Sequence, residues 1–485
     1  MVSLRQSPFF DRPAVIIALS VCLLLLALGG MQFTGDTDVL LEVAVIPLGF
    51  GLMIQNPYRL FLAFILLAFF RLPEAYPFLM PLKLSLIVGI LSLGSLVWHA
   101  MIAQTTKLPP LAPEIRYVIA LFALVTLGMA FAHDRGAAFD YWQNTYWKLI
   151  AICVAIAALA NTKSDLENTL WIFLAGGSLV ALVVLYNKMY GIGLVEGTRV
   201  TIGAEFHSPL ADPNDLALIL LSPLSLAVAL FFNATSNHHK ALAVAVTVLI
   251  AAAIVATQSR GAILGIMAIL AVIGQWHIKS SAIRIGAIVV CALALVLVMG
   301  IGGRASGGFA EVSNSGIDES SRLRLIAWRS AINMAVRNPL NGVGLANFGD
   351  FFFFYTPEWV HRRMVAHSAW FEVLGEAGLP GLVVFVTMIA ASFRSALSSV
   401  RLSRVMTVDP LLRALSMGML ASLVAFCVAA SFLANAFSMQ VYLLIGIIAA
   451  TTRFLTKEAA SAGTPVRRLW DASETPRCVP HLNLQ

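Results

Sequence analysis

Charge is what this sequence has least of. Asp, Glu, Lys and Arg together make up 12% of its 485 residues, about half the share found in a soluble domain. That is too little polar surface to cover a water-soluble globule of this length, so a soluble enzyme is excluded. With 59% hydrophobic residues, a disordered chain is excluded too. Cysteine is sparse. Cys22, Cys153, Cys291 and Cys427 lie inside long apolar runs, and Cys478 sits in a polar C-terminal stretch. None forms a C-x-x-C pair or neighbours a histidine at ligand spacing, which argues against a disulfide framework and a zinc site. Nucleotide and hydrolase signatures are missing as well: there is no G-x-x-x-x-G-K-[ST], no G-x-S-x-G and no H-E-x-x-H. No acidic cluster suggests a divalent metal, and no period of 20–50 residues suggests a repeat array. The expected cofactor set is therefore empty, and any chemistry must rest on Arg, His and carboxylate side chains.

What is present is apolar length. A span needs roughly 17–25 mostly apolar residues. Such runs occur near 14–30, 39–54, 58–72, 82–104, 115–132, 146–160, 168–188, 214–232, 241–257, 261–276, 284–302, 368–393, 411–432 and 436–454. The second and third are short and Glu42 interrupts the second, so the expected fold is an all-α polytopic transmembrane bundle of 12–14 spans. The first run is too long to be a cleaved signal peptide and lacks a small-residue cleavage site. Four regions follow: spans 1–11 over 1–302, a long loop over 303–367, the last spans over 368–455, and a disordered cytoplasmic tail over 456–485.

Net charge is +7, and its placement matters more than its size. With a cytoplasmic N-terminus and alternating spans, 18 Lys and Arg fall on the inside, 7 in short outside loops and 7 in the 303–367 stretch. Long loops are exempt from the positive-inside rule, so the bias predicts both termini in the cytoplasm and the long stretch outside, which in a bacterium is the periplasm. The excess marks topology and does not imply nucleic acid. Within that stretch, 302–308 reads as a glycine-rich flexible segment. Residues 321–337 read as an amphipathic helix stopped by Asn338-Pro339, and the aromatic run 348–355 as an interfacial element.

The ionisable groups stranded on the outer face are the candidates for function. Arg260 lies in Thr257-Gln258-Ser259-Arg260-Gly261, a connection so tight that it sits at the membrane surface. It is either a headgroup anchor or, with the backbone N–H groups of the next helix, an anion site. Arg322, Arg329 and Asn333 line one face of the 321–337 helix and read as a solvated face. Arg324 falls instead on the stripe of Trp328, Ala331 and Ala335, where a packed arginine needs an anionic or aromatic partner: a structural ion pair or a substrate phosphate. His367 stands at the start of span 368–393, where the helix dipole disfavours its protonated form. A neutral imidazole there can act as general base. Glu372 and Glu376 are one turn apart, face away from His367, and are expected to pair with arginines of the bundle.

These residues also fall into a familiar order. Ser259-Arg260-Gly261-Ala262-x-Leu264-Gly265, Arg324-x-x-x-Trp328, Pro339-Leu340-x-Gly342-Val343-Gly344-x-x-Asn347-Phe348, and His367-Ser368-x-x-Phe371-x-x-Leu374-x-Glu376-x-Gly378-x-x-Gly381-Leu382 resemble the motifs of the O-antigen ligase and polymerase family, the WaaL/Wzy-like membrane glycosyltransferases. The stretch from Arg199 to Asn214-Asp215-Leu216-Ala217 resembles a further family element upstream. The likeness covers about 195–385. Ser368 stands where the family usually has Asn, a trait of the branch linked to exosortase-type or exopolysaccharide loci. The resemblance implies a GT-C-like bundle in the bacterial inner membrane. It implies an inverting, metal-independent transfer of an oligosaccharide from undecaprenyl pyrophosphate to an acceptor hydroxyl of a glycan, lipid A core or protein. In that scheme Arg260, Arg324 and Arg199 hold the pyrophosphate and His367 takes the acceptor proton. Arg322, Glu372, Glu376 and Trp328 are possible supports. The competing reading is a transporter or flippase of lipid-linked saccharides, which usually shows an internal repeat and a midplane site.

Overall fold

The computed structural model describes residues 57–99, 110–206, 208–286, 289–290, 293, 319–361 and 363–462. It is an all-α polytopic membrane protein. The helices used below are α1 (Pro57–Phe69), α2 (Leu84–Val97), α3 (Pro113–Phe131), α4 (Arg135–Tyr141), α5 (Trp147–Leu159), α6 (Lys163–Tyr190), α7 (Pro213–Asn233), α8 (Asn237–Thr257), α9 (Arg260–His277), α10 (Glu319–Arg337), α11 (Phe348–Tyr355), α12 (Ala369–Val405), α13 (Pro410–Ala430) and α14 (Met439–Ser461). Eight of them, α3, α6–α9 and α12–α14, are long and apolar enough to cross a membrane among the described residues. The expected runs at 58–72, 82–104 and 146–160 appear as the shorter helices α1, α2 and α5. Those at 14–30 and 39–54 lie outside the described residues, as do most of 284–302 and the glycine-rich segment 302–308.

Local chemistry sets the helix ends. Pro113, Pro213 and Pro410 occupy the first turns of α3, α7 and α13, where a missing N–H leaves nothing unpaired. Thr162 and Asp165 form a capping box at α6, and Asp212, Ser259 and Asp409 cap α7, α9 and α13. Two expected boundaries differ. The last helix continues past 455 to Ser461, and the span beginning at 368 continues to Val405. In both cases the helical pattern outlasts the apolar run that marked the span.

Helices α7, α13 and α14 form the interior of the bundle and are the most buried, while α3, α8 and α9 keep broad outer faces. Leu127, Val248 and Leu264 on those outer surfaces are exposed, as suits lipid-facing positions. Lipid supplies no hydrophobic drive between helices, so polar contacts add to packing. Ser225 of α7 hydrogen-bonds Ser422 of α13, and Gln440 of α14 donates to Leu218 O of α7 at 2.8 Å.

The connections sort to two ends. At one, Lys163 pairs with Asp409 at 2.7 Å, Arg453 donates to Ala160 O and Asn161 Oδ1 at 2.8 Å, and Arg404 reaches Trp276 O. At the other lie the Gln258–Ser259 turn, the 191–212 connection with its two-residue strands β1 (Leu194–Val195) and β2 (Arg199–Val200), the 431–438 connection, and the 319–368 segment.

Candidate active site

The second end carries every residue singled out from the sequence. The α8–α9 connection is as tight as expected: Gln258 adopts φ 53°, and the Ser259 hydroxyl accepts from Ala262 N. Arg260 is therefore the first residue of α9, exposed, at the N-terminal end of a helix. Arg199 lies close by. Its Nε donates to Thr257 O at 3.2 Å and its Nη2 to Asn214 Oδ1 at 2.8 Å, so it braces the end of α8 against the start of α7. The two ends of the Arg199–Asn214 motif thus bond each other.

Helix α10 starts at Glu319, two residues ahead of expectation, and stops at Arg337 before Asn338-Pro339 as predicted. Its inner stripe is the expected one. Ala327 and Ala331 are fully buried and Ala335 nearly so, Arg324 is half-buried, and the Trp328 ring stacks on Phe371 of α12 at 5.1 Å and 15°. Arg322 stands on the outer face and pairs with Glu358 at 2.8 Å. The aromatic run becomes α11, which buries Phe348, Phe352 and Tyr355 against α10. It is half core element and half interfacial, with Phe354 exposed.

His367 is half-buried and adopts φ 48°, a left-handed conformation that turns the chain into α12. Histidine tolerates that region better than most side chains. Phe371, which carries Trp328, is one helical turn along. The Arg324–Trp328 motif and the His367 motif therefore meet through an aromatic stack.

The two glutamates bind backbone N–H groups. Glu376 accepts from Ala346 N at 2.9 Å and Phe348 N at 3.2 Å. Glu372 accepts from Ala436 N at 2.9 Å. The cause is a break in α12. Gly378 takes φ 67° and ψ −167°, a region open essentially only to glycine. The carbonyls this frees are taken by the loop after α10: Gly375 O and Glu376 O accept from Val343 N and Gly344 N, and Leu379 N donates to Pro339 O. A Cβ on Gly378 would stand 2.6 Å from Pro339 O. The Pro339–Phe348 motif and the Glu376–Gly381 motif are thus two halves of one docking joint. The α3–α4 corner secures the same loop, with His133 N donating to Val343 O and Asp134 N to Asn347 Oδ1.

Sequence reasoning missed the 431–438 connection, which touches α4, α7, α9 and α12. Ser431 Oγ accepts from Trp370 Nε1 at 3.0 Å. Asn435 Nδ2 donates to Asp215 Oδ1 at 2.6 Å, and Tyr141 Oη to Phe437 O at 3.1 Å. A Cβ added to Gly261 would stand 3.6 Å from Ala429 O and 3.9 Å from Phe432 Cβ, so the start of α9 packs closely here. Burial, and then the charges of Glu372 and Glu376, push the Tyr141 hydroxyl up, so it stays a donor. Ser431, Asn435 and Ser438 interrupt an otherwise apolar stretch. Polar groups placed there at a cost were the signal available.

The class is then an all-α polytopic membrane protein with Arg199, Arg260, Arg324, His367, Glu372 and Glu376 at the same end of the bundle. Residues 245–386 match the family model described as O-antigen ligase, a likeness that supports glycosyl transfer of the O-antigen ligase/polymerase type in general. No curated protein matches the chain significantly. The matched segment includes Arg260, Arg324, His367, Glu372 and Glu376, and leaves Arg199, Asp215 and the 431–438 connection outside it.

Proposed function

We propose that the protein transfers an oligosaccharide from undecaprenyl pyrophosphate to an acceptor hydroxyl, with inversion, at the periplasmic face of the bacterial inner membrane. The observation that supports this most is the convergence of two family motifs on one connection. Arg260 opens α9 and His367 precedes α12, and the 431–438 connection packs on the first turns of both helices.

His367 accepts the proton of the acceptor hydroxyl as its oxygen attacks the anomeric carbon. The bond from that carbon to the pyrophosphate oxygen breaks on the opposite face, and undecaprenyl pyrophosphate departs with the electron pair. Arg260 and Arg324, with Arg199 as a weaker contact, meet the charge that grows on the leaving group. Fixed guanidiniums suit this role because they stay charged and their geometry needs little reorganisation. Arg260 also has the N-terminal end of α9 beneath it, which favours anions. Trp328 holds Arg324's helix against the His367 helix by its stack on Phe371.

Purified protein given the lipid-linked donor and acceptor should transfer glycan. His367→Ala should remain monodisperse in detergent while its turnover falls by about 10²–10⁴-fold, the usual weight of a general base. Arg260→Ala should lose donor binding. Full activity in either variant would sink this mechanism.

A further inference from the structure

The 431–438 connection reaches four helices at one end of the bundle. It meets α7 through Asn435 and Asp215, α12 through Ala436 and Glu372 and through Ser431 and Trp370, α9 through Gly261, and α4 through Phe437 and Tyr141. Two of these contacts place a carboxylate near the start of a helix: Asp215 in α7 and Glu372 in α12. Asp215 follows Asn214, the residue that holds Arg199. Glu372 lies one turn past Ser368 and donates its own N–H to Ser368 O at 2.8 Å. Carboxylates are costly at such positions, and each of these two accepts from the 431–438 connection.

We infer that Asp215 and Glu372 are positioning residues for transfer, pinning the 431–438 connection across α7 and α12 so that Arg199, Arg260 and His367 keep one register. This rests on the function proposed above. Glu372 acts on the base side, because its partner Ala436 ties the connection to the first turns of the His367 helix. Asp215 acts on the anion side, because it shares its turn with the residue gripping Arg199. A displacement of about 1 Å between reacting groups can lower turnover by about 10²-fold.

The test is steady-state transfer by the full-length protein in detergent, using undecaprenyl-pyrophosphate-linked oligosaccharide extracted from the host strain. Wild-type protein must first transfer; if it does not, the functional proposal fails and the positioning question does not arise. Given transfer, Glu372→Leu should lower kcat by about 10²-fold with donor KM little changed. Glu372→Gln should keep most of the wild-type rate, because its amide oxygen still accepts from Ala436 N. Asp215→Leu should raise donor KM more than it lowers kcat, and Asp215→Asn should restore it. If Glu372→Leu does not fold, Asn435→Ala probes the same clamp from the connection side, and its effect should not add to that of Asp215→Leu. Wild-type kcat in folded Glu372→Leu would overturn the inference. So would a Gln variant as slow as the Leu variant, since that would assign Glu372 a role through its charge.

Discussion

At the scale of single residues, the two glutamates of α12 have different jobs despite their shared helix face. Glu376 satisfies two backbone donors of the loop after α10. Replacing it by Ala leaves both N–H groups without their acceptor, at about 1–3 kcal/mol each. Glu376→Ala should therefore lower the thermal unfolding midpoint in detergent, and Glu376→Gln should lower it less because one oxygen remains. A midpoint equal to wild type would remove Glu376 from the joint. The two arginines of α10 can be separated in the same way. Arg322 pairs with Glu358 on a solvated face, where an ion pair is worth about 0–1 kcal/mol; Arg324 lies on the packed stripe. Arg324→Ala should raise donor KM strongly and Arg322→Ala only slightly. The reverse order in donor titrations would reassign the motif arginine.

At the scale of elements, the break in α12 decides how the site is held. An unbroken helix would use its own carbonyls and offer the 339–344 loop nothing to bind. Gly378 opens the helix, and the carbonyls of Gly375 and Glu376 become acceptors for that loop. Gly378→Ala meets both an unfavourable φ and the Pro339 carbonyl, so it should lower yield and unfolding temperature together. A variant as stable as wild type would show that the joint tolerates a closed helix. Gly378 and Gly342 were visible in the sequence as motif glycines. That they serve one joint was not, because their partners lie more than thirty residues apart.

At the scale of the molecule, the two ends of the bundle carry different chemistry. The end with Lys163, Arg404 and Arg453 joins helices through cations and carbonyls; the opposite end gathers the candidate site. The charge bias of the sequence predicts the first end inside and the second outside. In a cysteine-free background, Glu196→Cys should react with a membrane-impermeant maleimide added to intact spheroplasts. Lys240→Cys should react only after permeabilisation. Labelling in the opposite sense would invert the topology and put the proposed donor on the wrong leaflet.

Composition by itself determined that the chain is a helical membrane protein, because so little charge leaves no other way to satisfy its surface. Hydropathy placed the eight long helices, and capping residues and prolines fixed their starts, since those effects act within a few residues. The order of motifs named the candidate residues Arg260, Arg324 and His367. Only the tertiary structure decided what Glu372 and Glu376 hold, that Arg199 braces α7 against α8, and that the 431–438 connection joins the parts of the site. Each of those depends on which backbone N–H or carbonyl a distant segment presents, and no local pattern encodes the partner of a hydrogen bond that closes across the bundle.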